Sequence, residues 1–298
     1  WISETNSWNP VNTEAGHERA LRPWAYQFLA RGADALVYFR WRQSVMGEEN
    51  HPAVLDWSGR PGRTYERVRA IYHELRNLER ALGDLPLPAG QVAIVFSSDT
   101  AAYAQLERQR YLDHVVEADA ICNRLHVLPD IVRARDVAAG RARLAGYPLV
   151  ILPGLEIVSD ALAAALRQYA TDGGVLWAQP RLATLDAHGT YHTQPMPAGL
   201  TDVFGLDVRE RCNIRDLPRH SEVAFQTGME SQTPSVRVEL GLGATALEVC
   251  GLDHMESVAA GDDVVILARY ATGAFADAPA VTQRPCGHGT ALYQACWL

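Results

Sequence analysis

The chain has 298 residues, of which 48% are hydrophobic and 21% are charged. This length predicts two domains or three small ones, and the composition is that of a globular protein, not a disordered or fibrous one. The formal net charge of −8 argues against general charge attraction to nucleic acid or anionic membranes. No apolar run reaches the ~18 unbroken residues of a membrane span.

The five cysteines are widely spaced and form no CxxC pair, which excludes zinc-ribbon and thioredoxin-like motifs. We therefore expect free, mostly buried thiols in a reducing compartment, which predicts a cytoplasmic protein. Neither a metal site nor another cofactor is predicted in this segment. The cysteines are Cys122, Cys212, Cys250, Cys286 and Cys296.

The first segment, residues 1–84, alternates strand-like and helix-like patterns. A buried strand ends near Glu4, and apolar residues at helical spacing follow it, with the helix expected to begin or bend at Pro23. The continuous apolar run over 33–39 predicts a strand that is covered on both faces, as in a parallel sheet. A polar loop over 40–63 then leads to a helix over 65–82.

A linker rich in proline and glycine at 85–90 introduces a second α/β segment, residues 85–220. Its strands and helices alternate, which predicts a parallel, flavodoxin-like sheet. Ser159 is the expected cap of the helix that ends at Thr171. Strands are predicted at 91–96, 147–152 and 175–178, a short strand or turn near 126–129, and helices at 101–123 and 159–171.

The last segment, residues 221–298, contains short β segments separated by turns and no helix-length periodic run. This pattern predicts a small antiparallel sheet. The expected strands cover 223–227, 236–240, 246–249, 264–270, 280–283 and 290–296.

Glu4 stands at the carboxyl end of the first strand, where parallel barrels collect their active-site residues. By itself, this position is equally that of an ordinary surface glutamate before a loop. Two further polar candidates, Glu48 and His51, lie in the loop that follows the strand at 33–39.

The string YFRWRQ at 38–43 places arginines and aromatic residues directly after a strand. Such groups suit a concave sugar site, because aromatic faces contact the ring and fixed donors and acceptors bind hydroxyls. The residues alone equally allow Arg40 and Arg42 to pair with buried carboxylates and Trp41 to serve in packing.

The remaining motifs indicate a structural role and not a further catalytic or metal site. No P-loop or GxGxxG is present. The turn at 153–156 lacks the nucleophilic cysteine that an amidotransferase of flavodoxin-like fold requires. His114, His126, His188 and His192 have no spacing typical of metal ligands.

Several motifs together resemble one family. They are WISE at 1–4, PVN at 10–12, GAD at 32–34, YFRWRQ at 38–43, Glu48, His51 and AVLD at 53–56. The family that they resemble is glycoside hydrolase family 42, the microbial β-galactosidases. Residues 91–94, 147–153 and 172–176 resemble its middle domain, and 279–282 and 287–289 resemble its terminal domain.

The resemblance implies the end of a TIM barrel over 1–84, a flavodoxin-like, class I amidotransferase-like oligomerisation domain over 85–220, and a small antiparallel β domain over 221–298. It also implies homotrimers and a retaining enzyme that cleaves terminal β-D-galactosides. Glu4 matches the nucleophile, which forms a covalent galactosyl intermediate.

The resemblance also implies a substrate subsite. Glu48 and His51 match residues that hold galactose, and Arg40 lies in the most specific motif. Thr13 stands where the family often has a substrate-contacting tryptophan, and Trp8 is the candidate replacement. This departure leaves open an α-L-arabinopyranosidase of the same family.

A retaining glycosidase needs two carboxyl groups about 5–5.5 Å apart, and the family takes its acid/base glutamate from the fourth barrel strand. Because a barrel needs about 250 residues, we expect further residues before Trp1 and predict that this chain alone is inactive. The family's zinc-binding cysteines would also lie there. The competing hypothesis is a non-catalytic oligomerisation or ligand-binding module, in which Glu4 and His51 do not converge.

Overall fold

The computed structural model describes residues 2–6, 20–47, 53–83, 89–106, 110–213, 235–239, 246–250 and 252–297. The chain divides into two compact units, Trp1–Pro88 and Ala89–Leu298. The predicted domain boundary between 220 and 221 lies outside the described residues.

The first unit contains two parallel strands and two helices in the predicted order. They are β1 (Ile2–Asn6), α1 (Leu21–Ala30), β2 (Leu36–Phe39) and α2 (Arg63–Leu82). In the parallel pair, Thr5 lies opposite Tyr38 and Asn6 opposite Phe39. Helix α1 begins two residues before Pro23, which is tolerated in a first turn because no hydrogen bond to its nitrogen is needed there.

The two helices cover one face of β2. Leu21 and Ile71 are fully buried, and Leu36 and Tyr38 of β2 pack against their cluster. Val37 lies between those two residues on the strand, so it faces the other way, and its side chain is 48% exposed. The expectation that 33–39 is covered on both faces is therefore wrong for the described residues, in which β1 and β2 form a two-stranded sheet.

The second unit begins with an alternation of strands and helices. The elements are β3 (Val92–Phe96), α3 (Ser98–Leu106), α4 (Tyr111–Arg124), β4 (Pro129–Arg133), α5 (Ala134–Ala138), β5 (Leu149–Leu152), α6 (Asp160–Thr171) and β6 (Val175–Ala178).

The four strands are parallel and lie in the order β4-β3-β5-β6, which confirms the predicted parallel sheet. The Oγ of Ser159 accepts a hydrogen bond from the N–H of Leu162 at 3.3 Å, as predicted for the cap of α6. The single helix predicted over 101–123 is wrong, because two helices, α3 and α4, occupy that stretch.

The rest of the unit is mostly antiparallel. Its elements are α7 (Thr201–Phe204), β7 (Leu206–Asn213), β8 (Ser235–Glu239), β9 (Ala246–Cys250), β10 (Leu252–Ala260), β11 (Val265–Tyr270), β12 (Pro279–Cys286), β13 (Gly289–Gln294) and β14 (Cys296–Trp297). Strands were predicted at the positions of β8, β9, β11, β12 and β13, whereas none was predicted at β7 or β10. The strand predicted at 223–227 lies outside the described residues.

Five of the strands in this part, β8, β9, β11, β12 and β13, continue the parallel sheet. Strand β13 pairs in parallel with β6, with Ala291 opposite Leu176, and this pairing joins both halves into one nine-stranded sheet. The sheet order is β4-β3-β5-β6-β13-β12-β11-β8-β9, and β14-β10-β7 form a second sheet. The antiparallel part is therefore continuous with the parallel part, and one hydrophobic core, which includes Leu166, Leu176 and Tyr293, extends across the junction.

None of the helices in the described ranges is long and apolar enough to cross a membrane.

Candidate active site

The first candidate site lies at the carboxyl edge of the parallel pair in the first unit. Glu4 is the third residue of β1, and Arg40 directly follows β2. Because Asn6 lies opposite Phe39 in the parallel pair, Arg40 lies just beyond the carboxyl ends of the strands, whereas Glu4 lies within β1, two residues before its end. The strand predicted to end near Glu4 therefore continues to Asn6. Trp8, Glu48 and His51 lie outside the described residues, so their convergence with Glu4 stays a prediction.

Arg40 is half-buried, and its guanidinium carbon lies 4.9 Å from the centroid of the Phe39 ring. This distance is within the range of a cation–π contact. The positive charge therefore lies against an aromatic ring at the carboxyl end of β2.

Arg42 holds the loop that follows β2. Its Nε and Nη2 atoms donate to the backbone oxygen of Trp57 at 3.1 and 2.8 Å. A returning segment lies alongside, since the N–H of Leu55 donates to the oxygen of Trp41 at 2.8 Å. The structure thus gives Arg42 a backbone carbonyl as partner in place of the buried carboxylate that the sequence also allowed.

Two indoles on this loop are exposed. Trp41 is 61% exposed and meets Tyr65 edge-on at 6.2 Å, so it is not mainly a packing residue among the described parts of the unit. Trp57 is 58% exposed and was not identified by sequence reasoning. The sequence signal that could have identified Trp57 is an aromatic residue inside a turn of the form Asp-x-Ser-Gly.

The turn that carries Trp57 is fixed by Asp56. Its Oδ1 accepts hydrogen bonds from the N–H groups of Ser58 and Arg60 at 2.9 and 2.8 Å, and from the Ser58 hydroxyl at 2.7 Å. The Ser58 hydroxyl is the largest cause that lowers the pKa of Asp56 below its usual range. Asp56 therefore stays ionised and keeps the turn closed.

The switch point of the parallel sheet, between β3 and β5, is a second candidate site, because open α/β sheets bind ligands at such a point. Here the chain's own groups fill the crevice. The Oγ1 of Thr100 accepts the N–H of Ile157 at 3.1 Å. A Cβ placed on Gly154 would lie only 3.1 Å from the Trp297 indole. This geometry favours the scaffold interpretation of the turn at 153–156.

A buried charged cluster lies near this edge. The Arg181 side chain forms an ion pair with Glu156, which is 2% exposed. The backbone N–H of Arg181 donates to the Oε1 of Glu256 at 2.9 Å. The Tyr293 hydroxyl donates to the Oε2 of Glu256 at 2.6 Å, and the His254 Nε2 lies 3.3 Å from Oε1. Because Glu256 belongs to β10 and Tyr293 to β13, the cluster connects the two sheets.

The described residues offer little for a metal or redox group. They contain no group of three His, Cys, Asp or Glu side chains that could hold a metal ion. The four cysteines whose side chains are described are free, and Cys122 and Cys296 are buried whereas Cys212 and Cys286 are half-buried. Burial raises the pKa of the Cys296 thiol to about 12, so this thiol is unreactive near neutral pH.

Together, these features define an α/β protein with polar groups at the carboxyl edge of a parallel strand pair, joined to a mixed-sheet scaffold. Comparison with known families agrees with this class. A family model described as "Beta-galactosidase" matches residues 2–78, and one described as "Beta-galactosidase trimerisation domain" matches residues 90–298. The chain belongs to glycoside hydrolase family 42, which confirms the resemblance seen in the sequence.

Curated relatives include Beta-galactosidase BgaH of Haloferax lucentense, which is 27% identical over 315 residues that cover all of this chain and 41% of the relative. Beta-galactosidase Bga of Halorubrum lacusprofundi is 32% identical over 238 residues, covering 76% of this chain and 32% of the relative. The chain thus spans about two fifths or less of the length of these relatives.

Solved structures agree on the fold. The β-galactosidase of the Antarctic haloarchaeon Halorubrum lacusprofundi superposes with a TM-score of 0.78 at 26% identity, covering 100% of this chain and 41% of that one. The β-galactosidase of Bacillus circulans sp. alkalophilus gives 0.81 at 20% identity, covering 98% of this chain and 42% of that one. At that identity, the second match shows the fold alone.

Proposed function

We propose that this chain is part of a retaining β-galactosidase that cleaves terminal β-D-galactosides, with Glu4 as the nucleophile. The observation that carries the proposal is the parallel pairing of β1, which contains Glu4, with β2, which Arg40 directly follows. The matching of residues 2–78 to the β-galactosidase model supports the same assignment.

In the proposed mechanism, the Glu4 carboxylate attacks the anomeric carbon while an acid glutamate protonates the leaving oxygen. The glycosidic bond breaks, and a galactosyl–Glu4 ester forms. The second glutamate then removes a proton from water, which attacks the same carbon and releases galactose and free Glu4. Two inversions retain the β configuration.

The acid/base glutamate is proposed to lie outside these 298 residues, about 5–5.5 Å from Glu4 in the assembled site. The support is that residues 2–83 supply two described parallel strands, whereas a barrel has eight. Without a proton donor for the leaving oxygen, the 298-residue chain alone is expected to be inactive.

The galactose subsite is proposed to contain Glu48 and His51, with Arg40 and Trp8 as further substrate-binding residues. Thr13, in place of the tryptophan often found in the family, leaves one alternative substrate open. α-L-Arabinopyranosides have the same layout of ring hydroxyls, so parallel assays with both sugars test this alternative.

The second unit is proposed to be a scaffold that assembles the enzyme into homotrimers. Two observations support this role. The switch-point crevice is filled by Thr100 and Trp297, and residues 90–298 match a model described as a trimerisation domain.

The proposal is tested by hydrolysis of nitrophenyl β-D-galactoside by the protein with its complete barrel. Glu4→Gln is expected to lower kcat by about 10³-fold or more, because no covalent intermediate can form. Glu66→Gln, on the exposed first turn of α2, is the matched control and is expected to keep full activity. Full activity of Glu4→Gln, or turnover by the 298-residue chain alone, contradicts the proposal.

A further inference from the structure

We draw no further inference here: the strongest candidate, the exposed apolar face that Leu112 and Val116 form on α4 of the second unit, carries nothing beyond the assembly role already proposed for that unit, because nothing in the structure shows what covers it.

Discussion

His114 on α4 provides a quantitative prediction about stability. Its ring is buried and stacks on the Trp297 indole, with centroids 3.4 Å apart and planes 1° from parallel. Burial, followed by the positive charge of Arg110, lowers the pKa of His114 from 6.5 to about 3. The positive charges of Arg181 and His254 lower this pKa further, and the negative charge of Asp113 raises it.

The direction of the pH effect follows from this shift. Because the pKa is lower in the folded chain, the unfolded chain binds an extra proton as the pH falls below 6.5. The stability contributed by neutral His114 is therefore complete above about pH 6.5 and is lost as the pH falls towards 3. The slope is about 1.4 kcal/mol per pH unit, so the loss at pH 4.5 is about 2–3 kcal/mol. Glu117, 3.5 Å from Nδ1 but 55% exposed, offsets little of it.

His114→Phe isolates this contribution, because the new ring can stack on Trp297 but cannot titrate. Urea unfolding at pH 7.5 and 4.5, followed by tryptophan fluorescence, should show about 2–3 kcal/mol less acid destabilisation in the variant than in the parent. Carboxylates titrate equally in both proteins and cancel in the comparison. The exposed His188 provides the control His188→Phe, which should keep the parent's pH dependence. An unchanged pH dependence in His114→Phe would refute the reasoning.

Three further variants test other parts of the structure. Tyr293→Phe removes the 2.6 Å hydrogen bond to the buried Glu256 carboxylate and should lower the free energy of unfolding by about 1.5–3 kcal/mol, measured with urea. Ser159→Ala removes the cap of α6 and should cost about 1 kcal/mol in the same assay. Arg42→Ala should speed hydrogen exchange over 40–47 and 53–61, because the loop loses two hydrogen bonds, and should leave exchange in α6 unchanged.

Controls keep these three results specific. Tyr191→Phe, at a tyrosine that is 54% exposed, should change the free energy of unfolding by less than about 0.5 kcal/mol. A Tyr293→Phe variant as stable as this control would contradict the role of the buried cluster. For Arg42→Ala, equal acceleration of exchange in the loop and in α6 would indicate general destabilisation and not local release.

The sequence predicted those elements whose signals are local. The order of the first unit and the Ser159 cap are both confirmed, because apolar periodicity and cap residues act over a few positions. The break between α3 and α4 was missed because residues 107–109 contain no glycine or proline. Strand β10 was missed because its buried face carries polar residues, including Glu256, that are satisfied by residues distant in the chain.

Long-range pairing explains the other differences. The sequence pattern over 221–298 gave no partner for β13, because its pairing with β6 joins segments far apart in the chain. At the candidate site, strand patterns predicted the two strands that carry Glu4 and precede Arg40, but β1 continues for two residues beyond Glu4. The partner of Arg42 is a backbone carbonyl, which carries no signature in the sequence, so Trp57 was not identified.

The central claim is that Glu4 is the nucleophile of a retaining β-galactosidase. The most direct measurement treats the protein with its complete barrel with a 2-deoxy-2-fluoro-β-galactoside carrying a good leaving group, and then identifies the modified residue by peptide mass spectrometry. The account predicts one fluorogalactosyl group on the peptide that contains Glu4, with loss of activity in proportion to labelling. Labelling of any other carboxylate, or inactivation with Glu4 unmodified, would contradict it.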